Sequence, residues 1–519
     1  MEKLCKRISL STILGIYVFL IGVGVPVVVR NAYSDILVIK YYYYCFCTSL
    51  LLAVILVYSL TIGRKSIALY LKQNTAKNFI SKMSIADLSV LIFLIIAVIS
   101  TFSSDYLFES FWGNEGRLTG LFLMGLYVIS YFCVSRFLKF HDYHIDLILM
   151  TGIFICIFGI TDYFQLDIFY FKVRMIPDEV PIFTSTIGNI NMYTAYVGMI
   201  VALAAVLYTM SEEKKRTLFY YFTMIVGFFA IVMGASDNAY LSLIALFGFL
   251  PLYIFKNEKG IQRYLIMLAT FFSVIQIISW INVYKDNVLG LDGVFNIVID
   301  SGVLPFLVAG LWGIAIFCYL MNHRKKSIAK NYGKFLSYAW LGIILLAVFM
   351  MIYILYDCNI AGNLDHYGKL SNYLVFDDEW GTHRGYIWRN AMECYMRLPA
   401  WKKVIGFGPE TFGILLKYQT RNNPYNQLFD NAHNEYLHLL ITVGIAGLIS
   451  YLSFILFSIK GCFRDKTKGP YAIAIAFAII CYCVQAFVNI NLPIVTPVFW
   501  LLIGIGNEEG INSGMRGVN

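Results

Sequence analysis

The fold is decided by the polar stretch Asp430-Asn-Ala-His433-Asn-Glu-Tyr436 and by the apolar run from Tyr436 to Phe457 that follows it. An α-helix needs about 20 apolar residues to cross the hydrocarbon core of a bilayer, and this run has that length. Comparable runs occupy most of the chain, whereas the residues before Tyr436 form a long polar segment. The sequence therefore predicts a protein that lies mostly in a membrane and carries one long loop.

Composition supports this prediction. Hydrophobic residues make up 59% of the 519 residues and charged residues 14%, whereas soluble domains carry about 25% charged residues. We predict an all-α, polytopic integral membrane protein with about 14 transmembrane helices, in a range of about 12 to 14. The predicted helices centre near Gly22, Leu51, Phe93, Leu126, Phe154, Val201, Met224, Ala245, Phe271, Ala309, Leu345, Leu448, Ala478 and Phe499.

The basic residues indicate an orientation, because Lys and Arg near helix ends are retained on the cytoplasmic side. If the N-terminus is inside, both termini are cytoplasmic and the long loop is extracytoplasmic. The first apolar run is too long for a cleaved signal peptide, so we expect a retained signal anchor. Most Lys and Arg residues then fall on the inner side, in 3–7, 64–82, 136–139, 214–216, 256–263, 324–334, 460–468 and at Arg516.

The net charge of +9 is explained by this retention and by attraction to anionic lipid, and it gives no indication of nucleic-acid binding. We expect the lipid bilayer as a partner and leave the oligomeric state open. We expect four regions, which are N-terminal transmembrane helices (1–100), a central transmembrane region (101–356), a long extracytoplasmic loop (357–434) and C-terminal transmembrane helices (435–519).

Within the loop, Thr382 is positioned to cap a helix from His383 to about Arg397, which Pro399 then stops. Arg384 and Trp388 would share one face of this helix, and Arg389 would pair with Glu393 four residues on. The loop cysteines Cys358 and Cys394 are compatible with a disulfide or with two free thiols.

A glycine-bearing turn follows at Gly406-Phe-Gly408-Pro-Glu-Thr-Phe412. Two glycines this close allow the backbone to approach a ligand or another helix, although for the motif taken alone a simple tight turn is the preferred interpretation.

His433 lies at the end of the loop, so we expect it at the outer membrane surface. An imidazole there can take a proton from a hydroxyl near neutral pH. The alternative is that Asn431 to Glu435 only cap the next helix, with His433 bonded to backbone. His438 is expected to pack or lie at an interface, and His433, Glu435 and His438 do not share a helical face well enough to predict a metal site.

Two further segments are expected on the same side. Arg117 lies in the stretch 111–120 at a helix entry, where a guanidinium can bind paired phosphate oxygens. The alternative for Arg117 is an interfacial anchor or a salt bridge to Glu109 or Glu115. The second segment, Ile187-Gly-Asn189-Ile-Asn191, enters the sixth predicted helix.

These residues, taken in order over roughly residues 100 to 450, resemble the O-antigen ligase and polymerase family of bacterial envelope glycosyltransferases. One departure is that the family often has Ser-Arg-Gly or Ser-Arg-Ala before the eighth helix, where this chain has Ser236-Asp237-Asn238-Ala239. The segments similar to family elements are Gly113 to Gly120, Gly188-Asn-Ile-Asn191, Arg384 to Trp388, Gly406-x-Gly408, His433-Asn434-x-Tyr436-Leu437 and Gly444 to Gly447.

The resemblance implies a multi-span, C-type glycosyltransferase-like fold in the bacterial cytoplasmic membrane. Its donor would be a glycan on a polyprenyl (undecaprenyl) diphosphate, its acceptor a hydroxyl of another glycan or glycolipid, and it would need neither cofactor nor metal. His433 would act as base and Arg384 would stabilise the leaving diphosphate. The substrate-binding residues would be Arg117, Arg389, Trp388, Asn434, Tyr436, Asn189 and Asn191.

Two other function classes remain open from sequence. A lipid-linked oligosaccharide flippase or another polytopic transporter would also span the membrane many times, and a non-catalytic envelope scaffold is a third possibility. Transporters carry charges inside their spans or broken helices at the midplane. Here Asp162 and Asp237 lie near predicted outer ends and the polar residues concentrate in the loop, which favours surface chemistry.

Overall fold

The structure is a computed structural model, and it describes residues 9–61, 83–113, 116–291, 293–323 and 328–508. Several residues used in the sequence analysis lie outside these ranges. They are the basic residues at 3–7, the linker 64–82, residues 114–115, residues 324–327 and Arg516.

The chain is helical almost throughout its described part. Eleven helices there are long and apolar enough to cross a membrane, which confirms the all-α, polytopic prediction. They are Leu10–Val27, Ile36–Leu60, Ile85–Phe102, Asp142–Tyr163, Ile190–Met210, Lys214–Met233, Glu258–Tyr284, Leu304–Met321, Gly333–Ala361, Gly444–Arg464 and Pro470–Val488.

Three more predicted transmembrane helices are present but shorter, namely Leu121–Phe137, Asn238–Ile254 and Thr496–Gly506. Each of the predicted centres lies in one of these long or short helices. Gly120 is the N-cap of Leu121–Phe137, and Pro497 lies in the first turn of Thr496–Gly506.

Short elements connect the long helices. Phe183–Thr184 and Gly188–Asn189 form a small antiparallel hairpin in which Phe183 pairs with Asn189. The remaining helices lie mostly in the polar part of the chain. They are Leu107–Trp112, Pro177–Ile182, Gly293–Asp300, Leu364–Leu370, Ser371–Leu374, Trp380–Arg397, Ala400–Ile405, Phe412–Gln419 and Glu435–Thr442.

The described residues form two compact units, one made of 9–151, 390–479 and 486–508 and the other of 152–389 and 480–485. In the first unit, Ile85–Phe102 packs on Gly444–Arg464, and Leu121–Phe137 packs on Thr496–Gly506. Aromatic rings fill the space between these helices, because Trp500 stacks on Tyr127 and on Phe454, with centroid distances of 5.5 and 5.1 Å.

The second unit is built around the helix Ile190–Met210. In an 18-residue apolar stretch of this helix, 89% of the residues are buried. Polar side chains join its helices inside the apolar core. The amide of Gln485 donates to the hydroxyl of Thr194 at 3.3 Å and accepts from that of Ser242 at 3.4 Å. Such bonds are expected where a polar group has no water to bind.

Candidate active site

His433 lies in a tight turn before the Glu435–Thr442 helix. Its backbone has φ +46°, the left-handed region that non-glycine residues seldom adopt, and its N–H donates to Oδ1 of Asn431 at 2.9 Å. The next residue, Asn434, caps the helix, since its Oδ1 accepts from the N–H groups of Tyr436 and Leu437, each at 3.0 Å. The capping role that sequence left open therefore belongs to Asn434, and the His433 side chain is half-buried.

The side chain of Asn431 also contacts a second histidine. Asn431 is only 4% exposed, and its Nδ2 lies 3.3 Å from Nδ1 of His438. The His438 ring stacks on Phe412 with a centroid distance of 5.4 Å. Burial lowers the pKa of His438 to about 4, so this imidazole is neutral near physiological pH.

Glu435 points into the protein core. It is 3% exposed and accepts hydrogen bonds from Tyr451 at 2.5 Å and from Asn491 at 3.2 Å. Tyr436, in contrast, is half-buried and packs against Phe487, with ring centroids 4.6 Å apart.

A cavity of about 30 Å³ lies among Asn431, Glu435, His438, Asn491 and aromatic side chains of the first unit. This volume is enough for ordered water.

Arg117 forms a salt bridge with Asp430, whose Oδ1 lies 2.9 Å from its NH2. The sequence offered a salt bridge to Glu109 or Glu115 as an alternative for Arg117. The structure shows a salt bridge to Asp430 instead, which the loop brings to this helix entry. Among the residues that the structure describes, none hydrogen-bonds the buried Nε of Arg117. The Nε–H of this guanidinium is therefore buried and unpaired within the described part of the chain.

Glu410 is a candidate site residue that the motifs in the sequence did not single out. It is 4% exposed; its Oε1 accepts the backbone N–H of Arg117 at 2.8 Å, and its other oxygen accepts the hydroxyl of Thr119. Burial raises the pKa of Glu410 to about 7, although both hydrogen bonds act in the opposite direction. Its position after Gly406 and Gly408 was the available signal.

The glycine turn packs backbone against backbone. The N–H groups of Phe407 and Gly408 donate to the carbonyls of Ile441 and Thr442 at 2.9 and 3.0 Å. Gly406 has φ +91°, and a Cβ there would clash with Thr442. Of the two interpretations, the turn is therefore a close approach to another helix.

In the second unit, the predicted asparagines organise a helix entry. Oδ1 of Asn189 accepts the N–H of Asn191 at 2.9 Å, and Oδ1 of Asn191 accepts the hydroxyl of Ser236 at 2.7 Å. The carboxylate of Asp162 accepts the N–H of Ser185 at 2.6 Å, which fixes the hairpin turn that precedes Asn189.

The helix around Arg384 begins later than predicted. Gly381, Thr382 and His383 have left-handed backbones with φ between 60° and 68°, so Thr382 cannot adopt the extended conformation of an N-cap. Regular helix starts at Arg384 and ends at Arg397, before Pro399 as expected.

Arg384 itself is largely enclosed. NH1 donates to the carbonyl of Gly381 at 2.7 Å, whereas its buried Nε lacks a hydrogen-bond partner within the described part of the chain. Burial lowers the pKa of the Arg384 guanidinium, and the negative charge of Asp237 opposes that shift. Asp237 is thus close enough to act on Arg384.

The neighbours of Arg384 differ partly from the prediction. Trp388 packs on Trp380 with ring centroids 5.2 Å apart. Arg389 pairs with Asp378 at 2.6 Å, so the predicted pair with Glu393 is wrong, because the left-handed turn returns residue 378 to this helix. Cys358 and Cys394 are both buried free thiols.

The site residues are divided between the two units. The first unit contains Arg117, Glu410, Asn431, His433, Asn434 and Tyr436, and the second contains Asn189, Asn191, Arg384, Trp388 and Arg389.

Comparison with known families finds a match in the second part of the chain. Residues 288–452 match the family model described as O-antigen ligase, a range that contains Arg384, Glu410 and His433. No curated protein matches the chain. The chain therefore carries an O-antigen ligase domain over residues 288–452, which supports an O-antigen ligase or polymerase type of membrane protein.

Proposed function

We propose that this protein is a glycosyltransferase that moves or polymerises a glycan from a polyprenyl diphosphate carrier onto an acceptor hydroxyl at the outer face of a bacterial cytoplasmic membrane. The reaction would serve cell-surface polysaccharide synthesis. The observation that carries the proposal is the match over residues 288–452, which includes a histidine held in a left-handed turn.

In the proposed reaction, the acceptor oxygen attacks the anomeric carbon of the carrier-linked sugar. The bond between that carbon and the phosphate oxygen breaks, and polyprenyl diphosphate leaves with its electron pair. His433 takes the proton of the acceptor hydroxyl, which an imidazole does effectively near neutral pH. The half-buried side chain of His433 is accessible enough for this role.

Arg117 in the first unit and Arg384 in the second are the two candidates for a contact with the diphosphate. Both guanidiniums keep a buried Nε–H that no described residue accepts. An unpaired buried donor costs about 1–3 kcal/mol, which an anionic oxygen would offset. Charge neutralisation at the leaving group is the main catalytic requirement when that group is a diphosphate.

The other predicted contacts receive narrower roles. Trp388 and Tyr436 supply aromatic surface for the sugar or the lipid. Asn434, Asn189 and Asn191 would act mainly by fixing helix entries, because their side-chain oxygens already accept hydrogen bonds from the protein. Arg389 is exposed and paired with Asp378, so we expect a minor contribution.

The test is analysis of undecaprenyl-linked glycans in cells that produce the wild type, His433→Ala or His366→Ala. His366 is a matched control, since it lies in the same polar segment but 68% of its side chain is exposed and it contacts Asp357. Single repeat units on the carrier of His433→Ala cells would identify a polymerase, and long carrier-linked chains a ligase. A carrier-linked pool equal to that of the wild type would reject the role of His433.

A further inference from the structure

We propose that Asn431 is a positioning residue that sets the direction of the His433 side chain, and that it does so as a bridge between His433 and His438. The inference rests on the proposed function of His433. The basis of the inference is the buried amide of Asn431, which contacts two histidines. Its Oδ1 accepts the N–H of His433 at 2.9 Å, and its Nδ2 lies 3.3 Å from Nδ1 of His438.

The chemistry of the groups determines the orientation of the amide. A backbone N–H only donates, so the oxygen of Asn431 must face His433 and its NH2 group must face His438. Nδ1 of His438 then accepts, and the proton of this neutral imidazole lies on Nε2. Burial keeps His438 neutral, while the nearby charges of Asp430 and Arg117 act on it in opposite directions. Each member of the bridge thus specifies the hydrogen-bonding role of the next.

The bridge is needed because the backbone of His433 is strained. A left-handed conformation is unfavourable for a non-glycine residue, and it persists only where surrounding contacts impose it. Asn431 holds the N–H of His433 from the preceding side, and Asn434 begins the helix on the following side. With φ fixed at +46°, the Cα–Cβ bond of His433 leaves the backbone in one direction, from which the imidazole extends.

The first test compares Asn431→Leu, Asn431→Asp and Asn423→Leu in purified protein. Asn431→Leu removes both contacts, whereas Asn431→Asp keeps the acceptor for His433. Asn423 is the matched control, because it makes the same kind of turn in the same segment, accepting the N–H groups of Tyr425 and Gln427. The donor is the carrier-linked glycan extracted from His433→Ala cells.

We expect Asn431→Leu to lower kcat roughly 10- to 100-fold with KM changed less than about threefold, since displacement of a reacting group by about 1 Å costs up to that factor. Asn431→Asp should retain kcat within about fivefold of the wild type, and Asn423→Leu should equal the wild type. A wild-type kcat for Asn431→Leu would overturn the inference. If Asn431→Leu does not fold, as judged by thermal unfolding in detergent, Asn431→Ser and Asn431→Asp decide the same question.

A double-mutant cycle tests the bridge itself. His438→Leu should lower kcat by a smaller factor than Asn431→Leu, and the double variant should be no slower than Asn431→Leu alone, because both changes break one chain of contacts. Strictly multiplicative effects would overturn the bridge.

Failure of the proposed function gives a different result. If His433→Ala retains full turnover, the role of His433 fails, whatever Asn431 does. The rate at which diethyl pyrocarbonate modifies His433 is a readout that needs no activity. Relative to the wild type, this rate should change in Asn431→Leu and stay unchanged in Asn423→Leu. Equal rates in the wild type, Asn431→Leu and Asn423→Leu would refute the positioning role.

Discussion

The carboxylate of Glu410 accepts the backbone N–H of Arg117 at 2.8 Å, although the two residues are 293 positions apart in the chain. The contact joins the glycine turn at 406–408 to the helix entry that carries Arg117. Thr119 also donates to Glu410, so one buried carboxyl group accepts hydrogen bonds from two residues of this helix entry.

The stability of the protein should therefore depend on the ionisation of Glu410. Its pKa is raised from 4.5 to about 7 by burial, so the folded protein binds the proton more tightly than the unfolded chain. Stability from this group is fully present below pH 4.5 and is lost as the pH rises through about 7. The loss amounts to about 3 kcal/mol over this window.

Glu410→Gln should remove this dependence, because the amide keeps an acceptor for Arg117 and does not ionise. Thermal unfolding in detergent between pH 4.5 and 7 measures the effect. We expect the difference in stability between Glu410→Gln and the wild type to grow in favour of the variant as the pH rises. A constant difference across the window would show that Glu410 does not titrate there.

Arg117→Ala and Asp430→Asn separate substrate binding from a structural salt bridge. The two side chains are 27% and 41% exposed, and exposed pairs contribute about 0–1 kcal/mol, so both variants should fold. If Arg117 binds the donor, Arg117→Ala should raise the KM for the carrier-linked glycan about tenfold or more, because one charge-assisted contact is lost. Asp430→Asn should leave this KM within about threefold of the wild-type value. Equal increases would assign Arg117 to the salt bridge alone.

Arg384→Lys should be far more damaging than Arg389→Lys. Lysine cannot reproduce the planar set of donors, and Arg384 is largely enclosed with a buried Nε, whereas Arg389 is exposed beside Asp378. We expect transfer to fall at least about tenfold for Arg384→Lys and to stay within about twofold for Arg389→Lys. Initial rates with the extracted donor measure both, and similar losses would contradict the assignment.

Gly444→Ala should destabilise the first unit. Gly444 has φ +76°, and a Cβ there would clash with the carbonyl group of Val404. The expected cost is about 2–4 kcal/mol, seen as a lower Tm. Gly125→Ala is the control, because Gly125 is helical and a Cβ there meets nothing within 4 Å. It should be neutral or slightly stabilising, and a Tm for Gly444→Ala equal to that of Gly125→Ala would contradict the packing.

The sequence predicts the helices well because each apolar run is a local signal with the length that a bilayer requires. It also predicts that Pro399 ends the helix that contains Arg384. It fails at contacts between distant segments, such as Glu410 with Arg117, since spacing along the chain says nothing about them. It fails too at Thr382, whose sequence signature suits a cap but whose left-handed backbone depends on the surrounding turn.

The central claim is that His433 takes the proton from the acceptor. The most direct measurement is release of polyprenyl diphosphate by purified protein in lipid nanodiscs, supplied with the carrier-linked glycan extracted from His433→Ala cells and with an acceptor glycan. We expect release by the wild type and by His366→Ala, and release at least about 100-fold slower by His433→Ala, the size of a lost general base. Release by His433→Ala at the wild-type rate would contradict the account.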